Sequence, residues 1–385
     1  MPKNLRIIWF LLLSFLLFCC GKNKTEHLSE VGDTLSLRHA KNLTIVTFPE
    51  RIDVTMRNPW DTTAILAKYS LVTKQHQTTE KNLPSYKSRE RKLIFTPLER
   101  AAVFSSVHCA LLHELGADTA VGGICDIEFL NLANYKEAVK DGRITNLGNS
   151  MQPNLERLLN LNPDALLPSP FENSGGLGRA EKLGFPIIWC ADYMENTPLG
   201  RAEWIRFYGR LFGKAEIADS IFFIVESRYK ELCSLTKNIQ TKPRLLPEMP
   251  WSGQWTLPSS GSYSAKLYQD AGAEYIFADL TGNGSIPLST EKVLDRGMKA
   301  DIWLIKHHGT LNRHQINTDT PLLSNIKAPI WWCNTAEMPI FEEAPFHPEL
   351  LLESLIAIIH PNLGIKAAQN RATPSDSAAF FIAFI

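Results

Sequence analysis

Histidine and cysteine are the residue types that could hold a metal or do covalent chemistry, and their spacing predicts neither. His307 and His308 follow an apolar run, but a zinc hydrolase needs further His and Asp ligands at close spacing. Neither H-x-H-x-D-H nor H-E-x-x-H occurs, and His108 and His113 are poorly spaced for joint ligation on one helix face. With no C-x-x-C pair and no G-x-x-x-x-G-K-[ST] loop, we predict no catalytic residue, no resident metal and no cofactor.

A cluster of aromatic residues in the second half suits ligand binding instead. Trp251 and Trp255 flank a glycine, and Ser262 and Tyr263 follow shortly afterwards. Aromatic faces bury a large area with few rotamers, which suits a large planar or macrocyclic ligand. The same residues could equally form apolar core between two lobes, and the sequence leaves both interpretations open.

Other candidate binding residues follow predicted strands, where parallel α/β sheets bind their ligands. Lys306 and His307 are of this kind and could meet an anionic ligand. The remaining candidates in such loops are Ser105, Ser106, His108, Phe171, Tyr193 and His308.

The elements that position these residues alternate between short apolar runs and amphipathic segments from about residue 98 onward. A long helical stretch, interrupted near Gly213, separates two such regions. We therefore predict an α/β fold with two similar Rossmann-like lobes joined by a long rigid helix, and a β-rich N-terminal extension. The predicted segments are a signal peptide (1–19), tether (20–40), β-rich extension (41–97), N-terminal lobe (98–196), connecting helices (197–240), C-terminal lobe (241–365) and atypical tail (366–385).

An internal repeat supports the two lobes. A serine followed by Leu115-Gly116-Ala117 in the first half is matched by a serine and Ala271-Gly272-Ala273 in the second, offset by 156 positions. Two further pairs of segments match in the same order. Glu156 and Glu291 occupy equivalent positions at helix starts, where a carboxylate is stabilised by the helix dipole. Their symmetric placement favours paired docking over dipole complementarity alone.

The N-terminus has the pattern of an export signal. Lys3 and Arg6 precede an apolar run over 7–18, which is too short to span a bilayer. The run ends in Leu-Phe-Cys-Cys-Gly, which resembles the bacterial lipobox and implies cleavage before Cys20 and acylation of that residue. The alternative is an ordinary secretory signal that ends in cysteines.

Length and composition exclude some classes of function. The chain has 385 residues with 40 Lys+Arg and 40 Asp+Glu, so it lacks the basic excess of proteins built to grip nucleic acid. A hydrophobic fraction of 44% excludes a wholly disordered chain.

These motifs together resemble the class III periplasmic binding proteins of ABC importers, the cobalamin-, ferric-siderophore- and haem-binding type. The resemblance covers roughly residues 98–363, through Gln152-Pro153-Asn154-Leu155-Glu156, Pro287-Leu288-Ser289-Thr290-Glu291 and the glycine-containing segments of the repeat.

The resemblance implies a lipid-anchored, monomeric protein on the periplasmic side of a bacterial membrane. It implies capture of a metal chelate between the lobes, without catalysis, and docking of Glu156 and Glu291 on arginines of an ABC transporter permease. Direct binding of a transition-metal ion is an alternative on the same fold, and a catalytic or sensory lipoprotein is another. No nucleic-acid partner is expected.

Overall fold

The computed structural model describes residues 32–61, 63–75, 90–172, 176–365 and 380–383. The predicted signal peptide and Cys20 lie outside these ranges. Within the described ranges, none of the helices combines the length and apolarity that crossing a membrane requires.

The N-terminal extension is a five-stranded sheet in which each strand pairs with the next along the chain. All its pairs are antiparallel except the last, which is parallel. Leu43 and Ile45 alternate with more exposed residues, so one face of the sheet packs on the core. The strands are β1 (Asp33–Thr34), β2 (Leu43–Thr47), β3 (Ile52–Arg57), β4 (Ile65–Thr73) and β5 (Lys92–Thr96).

The N-terminal lobe has a second five-stranded sheet, ordered β10-β6-β7-β8-β9 and parallel except for its last pair. Its short buried strands are apolar on both faces, as parallel strands covered by helices must be. The elements are β6 (Ala101–Val103), α1 (Ser106–Glu114), β7 (Val121–Cys125), α2 (Ala133–Lys140), β8 (Thr145–Asn149), β9 (Gln152–Pro153), α3 (Leu155–Leu161) and β10 (Ala165–Leu167).

The connection between the lobes consists of three consecutive helices, and the last of them is the predicted long helix. They are α4 (Pro198–Glu203), α5 (Ile205–Leu211) and α6 (Ala215–Thr236). Gly213 has a φ of +68°, a left-handed conformation that ends α5 and that glycine adopts without strain. The predicted interruption at Gly213 is therefore observed, and a second break occurs at Trp204.

The C-terminal lobe has a sheet ordered β13-β11-β15-β16-β17 and a separate hairpin formed by β12 and β14. Its strands are β11 (Arg244–Pro247), β12 (Gln254–Pro258), β13 (Glu274–Tyr275), β14 (Ser285–Ser289), β15 (Ile302–His307), β16 (Ile330–Asn334) and β17 (Ile382–Ala383). Its helices are α7 (Tyr263–Asp270), α8 (Thr290–Gly297), α9 (Arg313–Asp319), α10 (Ile340–Glu343) and α11 (Pro348–Ile359).

The two lobes repeat one arrangement, as the sequence predicts. β6 lies between β10 and β7, and β11 lies between the equivalent strands β15 and β13. The helices α1 and α7 end in the same turn, with Gly116 and Gly272 at positive φ and the N–H of the next residue bonded to Leu112 or Tyr268.

Two structural details differ from the predicted segment boundaries. Residues 32–40, within the predicted tether, are folded onto the protein: β1 pairs with β2, and residues 38–40 contact α4. At the other end, Phe380 and Phe381 of the predicted atypical tail are buried, and β17 pairs antiparallel with β16. The tail residues that the structure describes therefore cover the edge of the C-terminal sheet.

Buried carboxylates hold the start of the folded chain in place. Glu203, which is fully buried, accepts backbone N–H bonds from Arg38, His39 and Ala40 at 2.8–3.0 Å. Glu195 accepts two more from the residues that follow. Hydrogen bonds to a buried, charged acceptor are among the stronger ones in proteins.

We expect Glu203→Ala to lower the free energy of unfolding by about 3 kcal/mol, because the backbone donors it serves would lose their acceptor. Urea unfolding followed by circular dichroism measures this. Glu99→Ala is the matched control: that carboxylate is 69% exposed and pairs with Lys74, so its loss should cost no more than about 1 kcal/mol. Equal effects of the two substitutions would contradict the role given to Glu203.

Candidate functional site

A large cavity, of about 870 Å³, lies at the carboxyl ends of the N-terminal lobe's strands. Its walls come from the segments after β6, β7 and β10 and from the turn between β8 and β9. Ligands of open α/β sheets bind at this edge, because the loops there converge. Its apolar lining includes four aromatic side chains, which are Phe104, Phe129, Phe171 and Trp189.

The rim of this cavity exposes large apolar side chains. Phe129 is 67% exposed, Met151 65% and Phe171 49%. Exposed apolar groups that cluster around a concavity are typical of a binding site. The rim therefore offers apolar contact to a bound molecule.

Polar groups line the large cavity beside the apolar ones. Its charges come from Asp126 and Arg179, and its uncharged polar residues are Ser105, Ser106, Ser150, Gln152 and Ser169. Asp126 has a φ of +52°, and its carboxylate accepts the N–H of Ser150 at 3.0 Å, which fixes the loop after β7 against the turn after β8. A cavity that combines apolar walls with placed polar groups can orient a small molecule.

A second cavity of about 220 Å³ adjoins the first and shares Ser105, Ser169 and Phe171 with it. Its other walls are Val107, His108, Asp192, Tyr193 and Arg201. The small cavity is therefore a side compartment of the larger one, and its walls include the charged side chains of Asp192 and Arg201.

Asp192 is the centre of a buried polar network behind the small cavity. Its Oδ1 accepts from the Tyr208 hydroxyl at 2.8 Å and lies 2.9 Å from His108 Nε2, and its Oδ2 accepts from Arg201 Nε at 3.1 Å. Burial disfavours the charged carboxylate, but His108 and Arg201 outweigh burial and hold the pKa of Asp192 below its usual range.

The pKa of the His108 imidazole is shifted in the opposite direction. Burial opposes its protonation, but the neighbouring Cys190 and the Asp192 carboxylate outweigh burial and raise the pKa of His108 to about 10. Asp192 and His108 therefore form a buried ion pair at neutral pH, and Arg201 adds a second positive charge.

The structure brings together five of the predicted cleft residues. Ser105, Ser106 and Phe171 line the large cavity, and His108 and Tyr193 line the small one together with Ser105 and Phe171. All five belong to the N-terminal lobe.

The predicted cleft residues of the C-terminal lobe lie elsewhere. Trp255 was predicted as a cleft residue, but its side chain is fully buried in the core. There its indole N–H donates to the Pro247 carbonyl, and its ring packs against Trp303. Trp251 is 82% exposed in a turn. Ser262 is the buried N-cap of α7.

Tyr263 and His308 also lie outside both cavities. The Tyr263 hydroxyl donates to the Ala344 carbonyl at 3.1 Å, and the Arg201 guanidinium lies 6.0 Å from the centre of its ring. His308 is exposed after β15. Tyr263 therefore borders Arg201 from the second lobe, whereas His308 faces solvent.

Sequence reasoning missed the two arginines of the site. Arg179 lies in a loop without a motif, and Arg201 lies in α4, 9 residues after Asp192 with which it pairs. The only available signal for Arg201 was its place after the cleft-lining segment that contains Tyr193. Its partner is set by the packing of α4, which no local pattern specifies.

The two predicted docking glutamates occupy equivalent places. Glu156 and Glu291 are the second residues of α3 and α8, in the first turn, and both are exposed. In the described part of the chain neither forms a salt bridge. Both carboxylates are therefore available to another molecule.

The lobes touch through α10 and the segment that follows it. The ring of Phe346 packs against His108 and Tyr208, and His347 bridges Glu114 of the N-terminal lobe and Glu349. The described ranges contain no group of three or more His, Cys, Asp or Glu side chains arranged to hold a metal ion.

Comparison with known proteins gives a consistent set of similarities. Residues 108–329 match the family described as periplasmic binding protein. A lipoprotein of Methanocaldococcus jannaschii, itself uncharacterized, is 28% identical over 297 residues, which cover 72% of this chain and 70% of the relative.

Solved structures share the fold at low sequence identity. A periplasmic haem-binding protein from Pseudomonas aeruginosa is 16% identical with a TM-score of 0.52, covering 74% of this chain and 98% of its own. A Helicobacter pylori protein with Ni(II) bound is 18% identical with a TM-score of 0.55, covering 72% and 89%.

Proposed function

Because the chain belongs to the periplasmic binding protein family, we propose that it captures a metal chelate of organic character and delivers it to an ABC transporter permease. The ligand classes are ferric siderophore, haem or cobalamin. The protein binds and hands over its ligand without transforming it. The large cavity of the N-terminal lobe is the binding site in this proposal.

The observation that carries the proposal is the size and lining of that cavity. Its volume of about 870 Å³ falls within the range of sites for organic small molecules. Phe171 and Trp189 offer aromatic faces to a planar or macrocyclic body, and the serine hydroxyls offer hydrogen bonds to polar groups on its edge. Arg179 supplies a positive charge for an anionic complex.

Direct capture of a transition-metal ion is the second candidate, and the related fold of the Ni(II)-containing protein is the observation that favours it. A bare ion is held by donor atoms at about 2.0–2.6 Å, so it needs a tight cluster of His, Cys or carboxylate groups. The aromatic cavity is better matched to a chelate, whose organic part contacts the protein.

The family and a lipoprotein relative indicate a location outside the cytoplasm. We further propose that a lipid on Cys20 holds the protein, as a monomer, to the periplasmic side of a bacterial membrane. The segment boundaries at 41–97, 98–196, 197–240 and 241–365 are our proposed domain divisions.

A blocked cavity tests the binding site. We expect Ser169→Trp to weaken chelate binding at least 100-fold, because the new indole would fill space shared by both cavities. Calorimetric titration with haem, cyanocobalamin and ferric desferrioxamine B, and separately with ZnCl2 and MnCl2, measures this. Ser227→Trp, on the exposed face of α6, is the matched control.

The result that supports the proposal is binding of at least one chelate to the wild-type chain and the Ser227→Trp variant, with loss in Ser169→Trp. Tight binding of Zn²⁺ or Mn²⁺ with no response to any chelate would favour direct ion capture. Turnover of a substrate by a chain that binds no chelate would favour a catalytic lipoprotein.

A further inference from the structure

We propose that the small cavity beside Arg201 is a carboxylate-binding subsite. It takes a carboxylate arm of the ligand whose larger part fills the adjoining large cavity, and in that respect it rests on the proposed function. The ligand is then an anionic molecule with a carboxylate on a short arm, rather than a neutral or cationic complex.

The orientation of Arg201 is the first argument. Its Nε donates to Asp192 at 3.1 Å, and within the described part of the chain its two terminal nitrogens have no hydrogen-bond partner. The side chain is 19% exposed and lines the small cavity. An arginine held by Nε presents a planar pair of N–H donors, whose geometry matches a carboxylate.

The charge around the cavity is the second argument. Asp192 is its negative group, but that carboxylate is already shared by Arg201, Tyr208 and His108. Arg201 is permanently charged, and because Asp192 is divided among three partners it compensates the Arg201 guanidinium only in part. A carboxylate would balance that charge, and a cation would be repelled.

The third argument is the continuity of the two cavities. They share Ser105, Ser169 and Phe171, so one molecule can occupy both. A volume of about 220 Å³ is enough for a carboxylate on a short arm but not for a chelate. The Arg201 guanidinium also lies 6.0 Å from the ring centre of Tyr263. A residue of the second lobe therefore lies near the proposed carboxylate subsite.

The test uses small probes, so it does not depend on knowing the ligand. Benzoate carries the carboxylate and benzamide is its neutral analogue; both are titrated into the wild-type chain at constant ionic strength with thermal unfolding as the readout. We expect benzoate to raise the unfolding temperature and benzamide to have no comparable effect. Arg201→Gln should lower the affinity for benzoate, as derived from the unfolding temperature at increasing benzoate concentration, roughly tenfold or more. The reason is the loss of charge-assisted hydrogen bonds to the carboxylate.

Arg143→Gln is the matched control, because that exposed arginine pairs only locally with Asp141. A second measurement works on the wild-type chain alone: benzoate should slow the modification of Arg201 by phenylglyoxal, as mapped by mass spectrometry, and leave Arg143 unaffected. Inorganic phosphate is tested in the same way, as a probe for a site that binds any oxyanion. Stronger protection of Arg201 by phosphate than by benzoate would overturn the carboxylate assignment.

Equal responses to benzoate and benzamide, or an unchanged benzoate response in Arg201→Gln, would also overturn it. The outcome is separable from that of the proposed function. Binding of a chelate without any role of Arg201 contradicts the subsite alone. Protection by benzoate in a chain that binds no chelate contradicts the proposed function alone.

Discussion

Reversing the charge of Glu156 and Glu291 together, by Glu156→Arg and Glu291→Arg, should abolish transport of the ligand while leaving its binding unchanged. Both carboxylates are exposed in the first turn of equivalent helices and are separate from the residues that line the cavities. In the docking role that the sequence resemblance implies, this pair meets arginines of the permease, so two reversals would replace two attractions by two repulsions.

Uptake of the radiolabelled or fluorescent chelate by cells or proteoliposomes that contain the permease measures this effect. The matched control is the double variant Glu137→Arg and Glu274→Arg, which changes the net charge equally at exposed positions away from the helix starts of α3 and α8. We expect uptake with each single reversal, Glu156→Arg or Glu291→Arg, to lie between the uptake of the double variant and that of the control. Full transport by the Glu156/Glu291 double variant would refute the docking role.

Replacing Asp192 by asparagine should destabilise the protein by about 3–5 kcal/mol, the largest stability effect we expect from one substitution. The carboxylate is 1% exposed and compensates the charges of His108 and Arg201. Without it, charges would remain buried and unpaired. Urea unfolding measures the loss. Tyr208→Phe, which removes the hydroxyl's bonds to Asp192 and His108 but leaves the carboxylate in place, should cost only about 1–2 kcal/mol.

The same network predicts how stability depends on pH. Burial opposes the protonation of His108, but Cys190 and Asp192 raise its pKa from 6.5 to about 10, so its stabilisation is complete below pH 6.5 and is lost as the pH rises toward 10. Burial raises the pKa of Asp192, but His108 and Arg201 together lower it by more, so the pKa lies below its usual value. The stabilisation from the Asp192 carboxylate is therefore present above about pH 4 and is lost as the pH falls below that value. In Asp192→Asn the alkaline loss should shrink markedly, and an unchanged alkaline profile would contradict this assignment.

The repeated architecture could be predicted because its signals are local. Gly116 and Gly272 mark helix ends that need a left-handed residue, and both are found there. Alternating apolar runs and helical segments specify parallel strands covered by helices, and the equivalent placement of Glu156 and Glu291 follows from the repeat.

Only some of the residues that line the two cavities were among the predicted cleft residues, because the lining comes from separate segments of the chain. Loops after strands gave Ser105 and Phe171, since strand ends are readable in the sequence. Trp255 was misplaced because an aromatic residue on a strand has the same local pattern whether it faces core or ligand. Arg201 was missed because its partner Asp192 is set by the packing of α4 and not by spacing.

The most direct test of the central claim is a crystal structure of the chain with the chelate that binds most tightly. The account predicts that the body of the ligand contacts Phe171 and Trp189 in the large cavity of the N-terminal lobe, beside Arg179. A ligand seated against Trp251 or His308 of the C-terminal lobe, with the large cavity empty, would contradict it.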